Sequence, residues 1–262
     1  MFVSYAIRIF KLAKKQIMKF YPLLISIILT IGALAQEKDN PQHIVFISPN
    51  YELQFPFGDM KKDFGVNSNL GLEISIITNK NLYLSFNSSF IFGTNIKDST
   101  LLNHLMDDNF NIIDQNGQIS DILLHERGFN TNLKVGYLWP ILHQKSGLLG
   151  YGTFGFHQHK IRIDVKNQSV PQLNDENKKM YDQLTSGLST STFLGYLNIS
   201  KKNGIHFYTG LEWSRAFTKN QRSFNYIAQG PIDKLRNDSF LGLKFGWIIP
   251  ISKRSTQEYF YF

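Results

Sequence analysis

Residues 241–249 read Leu-Gly-Leu-Lys-Phe-Gly-Trp-Ile-Ile, and this stretch carries the pattern that decides the fold. Apolar side chains occupy every second position: Leu241, Leu243, Phe245, Trp247 and Ile249. The positions between them hold Gly242, Lys244, Gly246 and Ile248. Because successive side chains of a β-strand point to opposite faces, this alternation predicts a strand with one apolar face.

Seven similar stretches precede this one in the chain. The eight predicted strands, numbered β1 to β8, cover residues 43–55, 69–78, 82–93, 127–139, 147–164, 188–199, 205–217 and 239–250. Most of them reach the roughly 9 to 11 residues that a tilted strand needs to cross a bilayer. Strands of soluble proteins are shorter, at about five or six residues, so the lengths favour a membrane barrel over a soluble sandwich.

The links between the predicted strands alternate between long and short. The short links follow β2, β4 and β6 and cover residues 79–81, 140–146 and 201–204; the last contains Asn203-Gly204, a strong hairpin signal. The other links are long and polar, with a short helix predicted at 101–106 and a helical turn at 175–184. Short periplasmic turns and long outer loops are typical of bacterial outer-membrane barrels. The sequence therefore predicts an all-β fold: an eight-stranded antiparallel up-and-down transmembrane β-barrel with long extracellular loops and short periplasmic turns.

The start of the chain has the features of a secretory signal peptide. Residues 1–35 contain five basic residues and no acidic one, followed by an apolar run and the sequence Ala33-Leu34-Ala35. This arrangement predicts a signal peptide cleaved after Ala35, which leaves residues 36–262 as the barrel domain. Met18-Lys19 resembles an ordinary signal start, so residues 1–17 are interpreted as an over-called upstream extension. The alternative is a membrane anchor, for which the apolar run is short.

Composition excludes several classes of function. The formal charge is +8, but five of the 28 basic residues lie in the leader, so the remaining chain carries only about +3 and gives no indication of nucleic-acid binding. The absence of cysteine excludes disulfides, thiolate metal sites and a cysteine nucleophile. Aromatic residues make up 14% and charged residues 18% of the chain, a balance that suits strands facing lipid.

The apolar faces of the strands predict the lipid-facing surface. One face of β2 carries Leu70, Leu72, Ile74 and Ile76, and β3, β4 and β7 carry similar rows that are rich in aromatic residues. Trp139 and Trp247 fall near the short-turn end of the predicted barrel and Trp213 nearer the long-loop end, as expected for aromatic girdles at the two membrane interfaces. The alternative is that these aromatic residues fill the core of a soluble barrel.

The opposite faces of the strands carry charged residues, which are predicted to line the lumen. They are Glu52, Glu73, Lys134, Lys160, Arg162, Glu212 and Lys244. Buried charges must be paired or hydrated. Closure of the ring makes β8 the neighbour of both β7 and β1, so Lys244 is expected between Glu212 and Glu52. The interior of an eight-stranded barrel is only just wide enough to be filled by side chains. The sequence therefore predicts a plugged, ion-paired lumen. The alternative is that these charges form a proton or ion relay.

No catalytic residue, metal site or cofactor is predicted. His157 and His159 lie on one face of β5 at a spacing compatible with a metal, but no third ligand is identifiable. The aspartates of the link after β3 lack the regular spacing of a calcium loop. The chain also has no nucleophile elbow of the Gly-x-Ser-x-Gly type.

The chain resembles small bacterial outer-membrane barrels of the OmpA/OmpX type, and in particular outer-membrane barrel proteins of Bacteroidota. The resemblance rests on the Ala-Leu-Ala leader, on Phe90-Ile91-Phe92-Gly93, on residues 242–247 and on the aromatic end 259–262. That end is similar to the signal by which assembly machinery recognises such barrels, although a polar tail separates it from β8.

Three functions follow as hypotheses. The first is a non-enzymatic barrel that contacts outer-membrane lipid, the barrel-assembly machinery during insertion, and an envelope or secretion-system protein. The second is a narrow channel or transporter for small solutes or apolar ligands. The third is a soluble periplasmic barrel similar to lipocalins.

Overall fold

The computed structural model describes residues 43–98, 100–143, 145–166, 169–199 and 204–251. Residues 44–251 form one compact unit. The predicted signal peptide and the aromatic end at 259–262 lie outside the described residues.

Eight long strands pair in chain order and close into a ring. The elements are β1 (Ile44–Gly58), helix α1 (Met60–Asp63), β2 (Asn67–Ile77), β3 (Leu82–Gly93), β4 (Ile122–His143), β5 (Ser146–Val165), β6 (Thr185–Asn198), β7 (Phe207–Asn220), β8 (Leu235–Trp247) and the two-residue β9 (Ile249–Pro250). Each strand from β1 to β8 is antiparallel to the next, and β8 pairs with β1 through the register Lys244 to Glu52. The predicted eight-stranded antiparallel barrel is confirmed.

The strands differ from the predicted ones mainly at their ends. β4 begins at Ile122 and β8 at Leu235, which are earlier than the predicted residues 127 and 239. β4 also runs through most of the predicted short link, and its pairing with β5 reaches from Ile122 to His143. These end segments lack the regular contrast between an apolar and a polar face, although their backbones continue the hydrogen-bonded ladder.

The loops contain little helix. A 3-10 helix at Asn103–Leu105 lies inside the helix predicted at 101–106, and another at Asn177–Met180 lies inside the turn predicted at 175–184. None of the helices among the described residues has the length and apolar character of a membrane span.

Two apolar clusters occupy the two ends of the barrel interior. The short-turn cluster consists of Phe46, Ile77, Tyr83, Leu138, Leu149, Tyr151, Phe193, Leu197, Tyr208 and Ile248. The long-loop cluster consists of Met60, Phe64, Leu101, Leu102, Ile112, Ile161, Ile163, Val170, Leu173, Tyr181 and Phe240. The long-loop cluster joins the ends of the strands to α1 and to the long links. The helix and these links therefore form a packed cap over that end of the barrel.

The outer face of the ring is covered by large apolar side chains. They include Leu70, Leu72, Ile74, Phe86, Phe90, Phe129, Leu133, Val135, Leu194, Leu211, Leu243 and Phe245, all of which are exposed. The inward positions of the same strands carry polar and charged residues, so this barrel is apolar outside and polar inside over its central part.

Gly246 marks a close approach inside the barrel. A β-carbon at this position would lie 2.2 Å from the ring of the buried Tyr208 and 2.8 Å from the Ser48 hydroxyl. We expect Gly246→Ala to lower the free energy of unfolding by about 1–3 kcal/mol, because overpacking displaces neighbouring side chains. Urea titration of the purified barrel in detergent micelles, followed by tryptophan fluorescence, measures the change.

Gly152→Ala is the matched control, because a β-carbon there would have no heavy atom closer than 4.0 Å. Its effect should stay within about 0.5 kcal/mol, as for ordinary surface substitutions. Equal effects of the two substitutions would contradict the packing described for Gly246.

Candidate functional site: the charged interior

Five of the predicted lumen charges lie together inside the barrel. Glu52 comes from β1, Glu73 from β2, Lys134 from β4, Glu212 from β7 and Lys244 from β8, and each is nearly completely buried. The strands bring them to one level because each charge occupies an inward position of its alternating pattern.

Lys244 lies between the two carboxylates that flank it across the closed ring. Its Nζ is 2.7 Å from Glu212 Oε2 and 3.5 Å from Glu52 Oε2. On β1, Glu52 lies directly opposite Lys244 in the strand register. On β7 the residue directly opposite Lys244 is Gly210, and Glu212 lies two residues further along the strand. The contact to Glu52 therefore exists only because β8 meets β1.

Lys134 and Glu73 form the second ion pair of the layer, with Nζ and Oε2 2.7 Å apart. Glu73 also accepts hydrogen bonds from Ser85 at 2.6 Å, from the Tyr208 hydroxyl at 2.8 Å and from the Tyr83 hydroxyl. A buried carboxylate needs such donors on its remaining lone pairs. The surrounding hydroxyls thus complete the coordination of this pair.

Tyr151 connects the two ion pairs. Its hydroxyl donates to Glu212 Oε2 at 3.0 Å and accepts from Lys134 Nζ at 3.4 Å. Its ring lies stacked between those of Tyr83 and Phe193, with centroids 5.6 and 4.5 Å away. The three tyrosines were not predicted to belong to the site; the available signal was their position on the polar, inward side of β3, β5 and β7.

The prediction that Lys160 and Arg162 line the lumen is wrong. Both side chains lie on the outer face of β5, 43% and 57% exposed, and contact Asp182 at 4.0 Å and Asp164 at 2.9 Å. The inward positions of this segment belong to His157, His159, Ile161 and Ile163, all buried. At the long-loop end of β5 the outer face is polar, and the inner face is apolar because it packs in the cap. The contrast between the two faces is therefore the reverse of that in the central part of the barrel.

A second polar layer lies closer to the cap. His159 Nε2 is 3.1 Å from Asp238 Oδ2, and Asp238 also binds Arg236, whose other partner is Asp63 at 2.6 Å. Glu126 accepts two hydrogen bonds from the Asn67 amide, both at 3.0 Å. Sequence reasoning missed Glu126 and Asp238 because each lies one residue before the predicted start of its strand.

The two histidines of β5 belong to this second layer. Their ring centroids are 5.5 Å apart, and His159 contacts a carboxylate. Within the part of the chain that the structure describes, no group of three or more histidine, aspartate and glutamate side chains is arranged to hold a metal ion.

The three tryptophans all point outward. Trp139 and Trp247 lie on the short-turn half of β4 and β8, 48% and 60% exposed. Trp213 contacts Phe57, near the end of β1 where the first long link begins, with ring centroids 5.6 Å apart.

Polar contacts also fasten the long links to one another. Arg222, in the link after β7, binds Asp182, in the link before β6, with Nε 2.8 Å from Oδ1. These hydrogen bonds raise the pKa of Arg222 above its ordinary value. The cap is therefore tied together by charge as well as by its apolar cluster.

The buried charges of the central interior form one layer. A layer of three carboxylates and two ammonium groups, crossed by tyrosine hydroxyls, lies between the two apolar clusters. Because the two apolar clusters pack against this layer from both sides, its charges are held in fixed positions, which favours a structural role for them.

Comparison with solved structures finds small outer-membrane barrels. The attachment invasion locus protein Ail of Yersinia pestis, solved with the heparin analogue sucrose octasulfate, is 8% identical with a TM-score of 0.38; the match covers 79% of this chain and 99% of that one. OprG of Pseudomonas aeruginosa is 9% identical with a TM-score of 0.33, covering 79% and 95%. AlkL, solved by solid-state NMR in DMPC bilayers, is 11% identical with a TM-score of 0.37, covering 84% and 97%.

No protein-family model matches the chain, and no curated protein matches it in sequence. The eight-stranded ring agrees with the OmpA/OmpX-type architecture that the sequence resemblance implies. Because the identities and TM-scores are low, the assignment of the fold depends on the strand pairing itself.

Removal of the central cation should destabilise the barrel strongly. We expect Lys244→Met to lower the free energy of unfolding by about 3–5 kcal/mol, because it leaves Glu52 and Glu212 without this counter-ion in a buried site. Adding Glu212→Gln to the variant should recover part of the loss, since the excess negative charge is reduced. Urea unfolding in detergent micelles gives both values.

Lys160→Met removes a lysine from the outer face of β5 and serves as the control. A change below about 1 kcal/mol is expected for this exposed contact. If both lysine substitutions had the same small effect, the interior ion pairs would not support the stability of the barrel.

Proposed function

We propose that this protein is a non-enzymatic outer-membrane barrel that acts as a structural or interaction scaffold of the cell envelope. The observation that carries the proposal is the ion-paired layer enclosed between the short-turn cluster and the long-loop cluster. A lumen filled in this way leaves the cap and the outer face as the surfaces on which the protein can act.

The outer face supports the membrane location. Large apolar side chains cover most of the outer face of the barrel, and Trp139 and Trp247 project outward at the short-turn end. Strands of 11 to 22 residues are long enough to cross a bilayer at a tilt. We infer from this location that a signal peptide is cleaved after Ala35 and that the barrel-assembly machinery inserts the protein. The short turns would then lie in the periplasm and the long loops outside the cell. The sequence resemblance favours an origin in Bacteroidota.

The cap supports an interaction role. Phe110 and Ile119, in the link after β3, are 81% and 60% exposed, and Phe224, Tyr226 and Ile227 project from the link after β7. Exposed apolar side chains that form a contiguous patch are typical of surfaces that contact other proteins. The partner that we favour is another protein of the envelope or of a secretion system.

The second candidate function is a narrow channel or transporter for small solutes or apolar ligands. The observation that favours it is a polar strip inside β1 and β2, where Glu52 lies opposite Asn69 and Gln54 opposite Asn67. One side-chain oxygen of each accepts no hydrogen bond from any described residue. Buried acceptors of this kind require donors such as water, so a hydrated path would pass along this strip.

Planar-bilayer recording separates the two functions. The purified wild-type barrel should give no stable current steps above the bilayer baseline, because both ends of its interior are packed. A general porin inserted under the same conditions is the control for channel detection. Regular steps from the wild-type barrel would favour the channel, and recovery of the protein in the soluble fraction without detergent would contradict the membrane location.

A further inference from the structure

The outer face of the barrel contains a groove that crosses β4 to β7. Its floor consists of small residues, Gly152, Thr190 and Thr192. One wall is formed by Leu133, Val135 and Phe154, and the other by Trp213 and Arg215.

Strand register explains the shape of the groove. Thr190 lies between Phe154 on β5 and Arg215 on β7, and one step along the same face Thr192 lies between Gly152 and Trp213. The neighbouring outward positions on β6 hold Leu188 and Leu194, which are large and exposed. Small residues at two successive outward positions therefore leave a depression between taller walls. Neighbouring strands are about 4.8 Å apart, so the backbones of the two strands that flank Thr190 are about 10 Å apart, and their side chains leave room for about one hydrocarbon chain between them.

Arg215 has no counter-ion at the edge of this groove. Its outward register neighbours are Thr190 and Ser239, and the same face of its own strand carries Trp213 and Phe217. No described carboxylate forms an ion pair with it, although its side chain is exposed. By contrast, three other cations of the outer face have acidic partners: Lys160 with Asp182, Arg162 with Asp164, and Lys219 with Asp233.

We propose that the groove binds an acyl chain of an anionic lipid whose phosphate is held by Arg215. An unpaired guanidinium on a lipid-facing surface is unfavourable, and a phosphate offers it two parallel charge-assisted hydrogen bonds. The apolar walls and narrow floor suit a single hydrocarbon chain better than a second barrel, whose broad convex face cannot enter them. The proposal rests on the membrane location proposed above.

The test uses the purified protein in nanodiscs that contain equal amounts of phosphatidylglycerol and phosphatidylcholine with identical acyl chains. Native mass spectrometry after transfer to mild detergent then counts the lipids that stay bound. The choline group neutralises its own phosphate, so the wild type should retain phosphatidylglycerol preferentially. Arg215→Met should lower that preference about tenfold, in line with the loss of a hydrogen bond to a charged group.

A second variant, Thr190→Leu with Thr192→Leu, fills the groove and keeps the arginine. It should lose bound phosphatidylglycerol as well, because the acyl chain has no room. Arg162→Met and Thr209→Leu are the matched controls on the same outer face and should behave as the wild type. Far-UV circular dichroism verifies that each variant is folded.

Each other outcome overturns a defined part of the proposal. Wild-type lipid retention in both groove variants, or an equal loss in Arg162→Met, would show that the groove is not a lipid site. If only Arg215→Met had an effect, the arginine would bind phosphate without an acyl-chain groove. A dimer that disappears when the groove is filled would identify a second copy as the occupant, and failure to enter nanodiscs would contradict the membrane location instead.

Discussion

The structure depends on the pairing of charges that the closing ring forces into its interior. Glu52, Glu73, Lys134, Glu212 and Lys244 come from five strands spread along most of the chain. A buried ion without a partner is strongly destabilising, so each of these charges is tolerated only when the others are in place. Lys244 shows this most directly, because its contact to Glu52 forms only where the last long strand meets the first. Closure of the barrel therefore brings Glu52 to a cation that already has Glu212 as its neighbour on β7.

The sequence predicts this arrangement best where the two faces of a strand differ most. Along residues 241–249 the alternation identifies the strand, its outward face and the inward direction of Lys244, all of which the structure shows. Prediction fails near the cap, where both faces are mixed. There Lys160 and Arg162 point outward while Ile161 and Ile163 point inward, and Glu126 and Asp238 lie just beyond the predicted strand ends. The partners of the charges could be inferred from strand order alone only for Lys244; the tyrosine contacts depend on packing that periodicity does not encode.

The interior and the exterior of this barrel pose different functional questions. Inside, the ion pairs and tyrosine hydroxyls bind one another, whereas one oxygen each of Glu52, Gln54, Asn67 and Asn69 accepts no hydrogen bond from a described residue. Outside, two features are open to a partner: the exposed apolar side chains of the cap and the guanidinium of Arg215, which forms no ion pair with a described residue.

The unequal strand lengths have a structural consequence. β4 pairs with β3 only between Glu126 and Tyr137, whereas its pairing with β5 continues from Ile122 to His143. The β4–β5 hairpin thus projects past its neighbour at both rims of the ring. This pair of strands keeps one register from Ile122 to Pro140 and so links the packed cap to the opposite rim as a single long ribbon.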